Sequence, residues 1–206
     1  MNDTKLRQLT AFASFGFALF CMLWVILNYS LLPVTDDYAL LVKDSGWIYV
    51  SVSGLLSAIL GIFAVFGIFH DSRDKGGMLL FIGAVILVLG LMVEMSSLTW
   101  DTFIWPAICS SDQYVSYVNS GLFVETIQFK IFMICLLSFL FIGNILFAIG
   151  LMKTRSYGLL IPLLLIVGIV LYAVGNFTLI HIASAGLVVY CAAMVMIGIR
   201  LFQKKV

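Results

Sequence analysis

The chain has 206 residues, of which 63% are hydrophobic and 10% are charged, and its formal net charge is +1. Charged residues make up about a quarter of an ordinary soluble domain, so this composition excludes a water-soluble globular protein of this size. The apolar residues also occur in long runs instead of at the spacing of an amphipathic helix or strand, which indicates that the surrounding solvent is lipid.

Six apolar runs are each about as long as the ~20 residues that a helix needs to cross the hydrocarbon core of a bilayer. They predict a polytopic, all-α membrane helix bundle, in which residues 1–206 form a single domain. In chain order the six predicted spans are residues 9–30, 47–69, 76–99, 126–152, 157–175 and 179–201.

The basic residues predict the orientation, because Lys and Arg collect in short cytoplasmic loops. A cytoplasmic N-terminus leaves only Lys43 and Lys130 on the outer side. We therefore expect both termini in the cytoplasm and the protein in the inner, cytoplasmic membrane of the cell. The basic residues then on the cytoplasmic side are Lys5, Arg7, Arg73, Lys75, Lys153, Arg155, Arg200, Lys204 and Lys205.

Turn lengths and small residues predict how the helices pack. The segments His70–Lys75 and Lys153–Ser156 are short enough to join antiparallel neighbours. Small residues recur on one face of a helix and allow the backbone of a neighbour to approach closely. These are Ser53, Ser57 and Gly61 in the second run, Gly83 and Gly90 in the third, and Gly143 and Gly150 in the fourth.

The long outer connection, residues 107–125, predicts a short amphipathic helix at the membrane surface. Apolar and aromatic residues recur there at intervals of three and four, and Pro106 is expected to end the third helix before it. The residues that carry this pattern are Tyr114, Tyr117, Val118, Leu122 and Phe123.

Glu94 is the only acidic residue inside a predicted span. A charged carboxylate at the bilayer centre costs about 2.5 kcal/mol or more, so such residues are candidates for function. Glu94 follows the cytoplasmic end of its helix by ~27 Å at the helical rise, which places it near the outer headgroups. We predict an outward-facing ligand pocket at this depth, formed by Glu94, Trp100, Asp101, Trp105 and His181.

The sequence gives no residue a catalytic or metal-binding role, and we expect no cofactor. It lacks zinc-protease, phosphate-loop and serine-hydrolase motifs. His70 and His181 lie at opposite faces of the predicted bundle, so they cannot bind the same haem iron. The four cysteines form no C-x-x-C pair, which argues against a thiol–disulfide enzyme.

The layout resembles a broad group of bacterial six-helix membrane proteins whose activity is not established. The resemblance covers most of the chain and lies in Trp100–Pro106, in the helix that contains Gly143 and Gly150, in the basic turn Lys153–Tyr157, and in Gly168 of the next helix. It implies the six-helix fold and a bacterial origin, but no activity.

These patterns leave three functions open. We expect a protein without enzymatic activity that binds a small or lipidic ligand in the outer-leaflet pocket or helps to move it across the membrane. The alternative is a structural or accessory subunit, whose small-residue ridges contact a second copy or a partner subunit. A membrane enzyme is the third reading. The lipid bilayer is a partner in every case, and no nucleic-acid partner is expected.

Overall fold

The computed structural model describes residues 3–33, 35, 37–122 and 124–203. Phe123, Lys204 and Lys205, which entered the predictions above, lie outside the described residues. All regular secondary structure in the described part of the chain is helical. The helices are α1 (Asp3–Ser30), α2 (Tyr38–Lys43), α3 (Trp47–Thr99), a π-helical turn (Trp100–Ile104), α4 (Trp105–Cys109), α5 (Asp112–Asn119), α6 (Ile127–Thr154), α7 (Leu160–Phe177) and α8 (Ile180–Gln203).

Helix α3 folds back on itself at Gly77. This glycine has φ 61° and ψ −165°, a conformation that side-chain-bearing residues rarely adopt. The rings of Phe69 and Phe81, on either side of the bend, lie 5.9 Å apart. Farther along, Gly54 faces the side chain of Leu98. The two arms of α3, residues 47–76 and 78–99, are therefore antiparallel neighbours.

The prediction that His70–Lys75 forms the turn between these arms is wrong. The whole segment is helical, and the chain reverses at Gly77 alone. His70–Lys75 contains no proline or glycine to interrupt the helical hydrogen bonds, whereas the glycine that follows can take a positive φ.

Six long helical segments form a closed ring. Helix α1 packs on the first arm of α3, the second arm packs on α6, and α6 is followed by α7, α8 and again α1. Neighbours in the ring run antiparallel. Thr10 and Phe17 of α1 lie against Gly67 and Gly61 of α3, and Gly83 and Gly90 of α3 lie against Phe147 and Leu140 of α6. The ring explains how one chain of helices encloses a central volume.

The small residues lie where the helices approach most closely. Gly83 and Gly90 of α3 contact the backbone of α6, and Gly143 and Gly150 of α6 contact the backbone of α3. A methyl group added at Gly90 would lie 2.8 Å from the backbone nitrogen of Leu140. The prediction that these four glycines mark a close helix contact is confirmed.

One end of the ring, which we call the Gly77 end, is tightly packed. Leu80, Leu151 and Ile197 are fully buried there. The side chain of Asp71 is 2% exposed and accepts a hydrogen bond from Arg7 Nε at 3.0 Å. The Tyr157 hydroxyl donates to its second oxygen at 2.9 Å. This polar cluster joins α1, α3 and the turn before α7.

The opposite end, which we call the Trp47 end, carries a cap of short helices: α2, the π-helical turn, α4 and α5. Trp47 Nε1 donates a 2.6 Å hydrogen bond to the carbonyl oxygen of Asp101. The backbone N–H of Ala39 donates to Asn119 Oδ1 at 2.9 Å. Ala39, Val42, Cys109 and Val118 form the small apolar core of this cap.

Two sequence predictions concern this cap. Pro106 does not end the helical path, because α3 continues through the π-helical turn into α4, where the proline occupies the first turn and needs no amide partner. The connection at residues 107–125 contains a helix, α5, with Val118 buried and Tyr114 and Tyr117 exposed. Its position at the outer membrane surface stays a prediction.

The chain is a multi-pass helical membrane protein. Among the residues that the structure describes, four helical stretches are long and apolar enough to cross a bilayer, and Leu160–Asn176 is a shorter apolar helix. Large apolar side chains such as Leu19, Phe63 and Ile134 remain exposed on them, as expected where the outer surface of a bundle faces lipid. The four stretches are Asp3–Ser30, Trp47–Cys109, Ile127–Thr154 and His181–Gln203.

Candidate ligand-binding cavity

A cavity of about 110 Å³ lies inside the ring. It is displaced toward the Trp47 end, since its lining residues on α1 begin at Phe17 and those on the second arm of α3 extend to Leu98. All six segments of the ring contribute to its wall. The lining residues are Phe17, Cys21, Trp24, Gly54, Ser57, Ala58, Gly61, Val65, Leu87, Leu91, Glu94, Leu98, Leu140, Asn144, Gly168, Ile169, Tyr172, Leu187, Tyr190 and Met194.

Glu94 is the only acidic residue on this wall, and no Lys, Arg or His lines the cavity within the described chain. Its carboxyl group has no hydrogen-bond or ion-pair partner among the described residues. An ionised carboxylate can only accept hydrogen bonds, and its burial without a partner is costly. The cavity thus contains an acidic group that the protein itself leaves uncompensated.

Two other polar side chains of the wall, Asn144 and Tyr190, are held by hydrogen bonds within the fold. The Tyr190 hydroxyl on α8 donates to Asn144 Oδ1 on α6, and Asn144 Nδ2 donates to the carbonyl oxygen of Leu140 at 2.8 Å. This link crosses the ring from α6 to α8. It fixes two side chains of the wall without using Glu94.

The structure divides the predicted site residues among three places. Glu94 lies on the cavity wall, whereas Trp100, Asp101 and Trp105 belong to the cap. His181 is exposed in the first turn of α8, with its ring 6.0 Å from that of Tyr29 on α1. Sequence depth placed all five at one level, but it could not give the direction in which each side chain points.

Within the cap, Asp101 and Trp105 meet at Tyr38 of α2. The Tyr38 hydroxyl donates to Asp101 Oδ1 at 3.1 Å, and its ring packs edge-on against Trp105 at 6.0 Å. Burial, and next the nearby Asp101 carboxylate, raise the pKa of Tyr38 above its ordinary value. The Tyr38 hydroxyl therefore stays a neutral hydrogen-bond donor that holds α2 on the cap.

Sequence reasoning did not identify Trp24, Asn144, Tyr172 and Tyr190 as wall residues. Asn144 did carry a signal, because it is an amide in the middle of an apolar run and follows Gly143, which marks a close contact. The aromatic residues carried none, since tyrosine and tryptophan within a span also occur on lipid-facing surfaces.

The arrangement is suited to binding. It combines one acidic group and the hydrogen-bonded pair Asn144 and Tyr190 with a wall that is otherwise mostly apolar and aromatic, as in most small-molecule sites. Among the described residues, no group of three or more His, Cys, Asp or Glu side chains is placed to hold a metal ion.

No protein-family model, curated protein or solved structure matches this chain. The class is therefore defined by the fold and the cavity: a multi-pass helical membrane protein whose helices form a ring around a central cavity. The resemblance to bacterial six-helix membrane proteins stays a prediction.

Proposed function

We propose that all six long segments of the ring cross the membrane, with the Gly77 end and both termini in the cytoplasm of the cell and the cap outside. The distribution of basic residues supports this orientation. Arg7, Arg73 and Arg155 lie at the Gly77 end, whereas Lys43 and Lys130 lie at the Trp47 end. Helix α7 has 18 residues, or ~27 Å at the helical rise, which is close to the thickness of the hydrocarbon core.

Cysteine accessibility in intact cells tests this topology. In a variant without the four native cysteines, Lys75→Cys and Arg155→Cys should react with a membrane-impermeant maleimide only after the cells are opened. Lys43→Cys and Gln113→Cys should react in intact cells. The reverse pattern would refute the orientation, and labelling of all four in intact cells would refute six spans.

We further infer that the protein binds a small or lipidic ligand in the central cavity and helps to move it across the membrane. The observation that supports this is the Glu94 carboxyl group, which lies on the wall of a cavity inside the ring without a partner among the described residues. Acidic residues at membrane depth are costly and generally mark ligand or ion sites. The site proposed here is the cavity, with Trp100, Asp101, Trp105 and His181 at the same end of the bundle but outside its wall.

Filling the cavity tests the function. The probes are phenyltrimethylammonium, tert-butylbenzene and benzenesulfonate, which share a phenyl group and differ in charge. At least one should raise the unfolding temperature of the purified protein. Ala58→Leu places a larger side chain on the wall and should abolish that increase, whereas Ala192→Leu on an exposed position of α8 should keep it. Failure of all three probes, or equal responses of the two variants, would contradict a binding cavity.

A structural or accessory subunit is the second candidate, and α6 supports it. Only Leu136 is buried before residue 140 of this helix, against seven buried residues after it. Ile127, Ile131 and Ile134 are exposed in that first half, where a partner helix could pack. Purification in mild detergent should then recover a stoichiometric partner, or a second copy, that Ile134→Asn releases. A monomer without a partner would reject this candidate.

A further inference from the structure

We propose that the ligand of the cavity is a small organic cation, with its positive group at Glu94 and its apolar body against the aromatic wall. This inference rests on the proposed function and adds the charge and size of the ligand.

The charge of the ligand follows from the balance of groups on the wall. Glu94 contributes an acidic group, and no basic side chain among the described residues lines the cavity to neutralise it. In surroundings of low dielectric constant, an opposite charge on the ligand gains more energy from the carboxylate than it would in water. An anionic ligand would place two like charges together in the same cavity.

The body of the ligand follows from the remaining wall. Phe17, Trp24, Tyr172 and Tyr190 supply four aromatic rings, and most other lining residues are aliphatic or glycine. Aromatic faces attract quaternary ammonium and other organic cations and also pack against apolar groups. A metal ion needs several oxygen ligands, and Glu94 is the only carboxylate that the described residues place on this wall.

The size of the ligand follows from the volume. The cavity holds about 110 Å³, and a cavity of roughly 150 Å³ in another protein accommodates benzene. The enclosed volume is smaller than that benzene cavity, so a cation with a short branched chain suits it best. A cation with a single ring fits only if side chains of the wall move or part of the cation extends beyond the enclosed space. A complete lipid fits only if most of it stays outside the ring.

Phenyltrimethylammonium and tert-butylbenzene provide the test, because they have nearly the same shape and differ by one positive charge. Binding of each to the purified protein in lipid nanodiscs is measured by thermal unfolding and by competition. The wild type should bind the cation at least tenfold more tightly than the neutral probe. Glu94→Gln should remove that preference, whereas Glu125→Gln should keep it, because Glu125 is exposed outside the ring and paired with Lys130 at 2.7 Å.

The outcomes separate this inference from the proposed function. If both probes bind the wild type equally and Ala58→Leu abolishes both, the cavity binds ligands but does not select cations, so only the inference fails. If Glu94→Gln retains the preference for the cation, the Glu94 carboxylate is not the group that attracts it, and the inference also fails. If benzenesulfonate alone binds the wild type, only the inference fails. If none of the three probes binds, both proposals are contradicted.

Discussion

The centre of the ring is filled by Leu80, Leu151 and Ile197 at the Gly77 end, whereas toward the Trp47 end it holds the cavity with Glu94 on its wall. At the Gly77 end, the buried carboxylate of Asp71 is satisfied by Arg7 and Tyr157. In the cavity, Glu94 has no such partner among the described residues. The fold thus supplies hydrogen-bond partners for Asp71 but none, among the described residues, for Glu94. This contrast supports the proposal that the cavity binds a ligand, whereas the polar cluster of the Gly77 end joins helices.

The largest loss of stability is expected from a substitution where the backbones of α3 and α6 are in contact. Gly143→Val places a branched side chain against the backbone of Leu87 and should lower the free energy of unfolding by about 3 kcal/mol. Val85→Leu, at an exposed position of α3, should change it by no more than about 0.5 kcal/mol. Unfolding in a detergent titration measures both. Equal effects would show that the α3–α6 contact does not hold the ring together.

A smaller loss is expected in the polar cluster of the Gly77 end. Asp71→Asn removes the charge that Arg7 and Tyr157 contact and should lower stability by about 2 kcal/mol. Asp74→Asn is the control, because the side chain of Asp74 is 93% exposed and lies 3.8 Å from Arg73. Its effect should stay within about 0.5 kcal/mol, as for surface pairs in general. A control as damaging as Asp71→Asn would refute the special role of the buried carboxylate.

The link across the cavity wall should contribute less. Tyr190→Phe removes the hydroxyl that donates to Asn144 and should cost about 1 kcal/mol, the usual range for hydrogen bonds between membrane helices. Tyr49→Phe, at an exposed position of α3, should have almost no effect. Thermal unfolding of the two variants side by side gives the difference. If they are equally stable, the link does not bind α6 to α8.

The smallest change in stability is expected from filling the cavity. Ala58→Leu adds its side chain to empty space, so it should change stability by less than about 1 kcal/mol. Ala148→Leu makes the same change at a fully buried position of α6 and should cost about 2 kcal/mol or more. The free energy of unfolding of both variants is measured in the same assay. A larger loss for Ala58→Leu than for Ala148→Leu would mean that the space near Ala58 is already filled.

Much of the helical framework could be predicted from the sequence, because the chemistry of a bilayer forces long apolar runs into helices. The close contacts at Gly83, Gly90, Gly143 and Gly150 were also predictable, since only small residues permit such an approach. The position of the bend was not, because the helical segment continues through the charged residues to Gly77. Helix α2 was missed as well, since six residues carry too little periodicity to identify it.

The candidate site was predictable only in its acidic residue. Glu94 stood out because it was the sole acid in a span, a property of the sequence alone. The wall around it depends on the closure of a ring of six segments, which no local pattern encodes. Trp100, Asp101 and Trp105 follow Glu94 closely in sequence, yet the π-helical turn carries them into the cap. The position of a residue along a helix can be predicted from the sequence. The direction in which its side chain points depends on how the neighbouring helices pack.

A cation bound in a crystal of the protein would show directly whether Glu94 and the cavity hold the ligand. 4-Bromophenyltrimethylammonium carries a bromine atom whose anomalous scattering reports its position. We predict one peak inside the ring, with the ammonium group beside Glu94, and no peak there in crystals of Glu94→Gln. A peak confined to the cap near Trp100 or to the lipid-facing surface of the wild type would contradict this prediction.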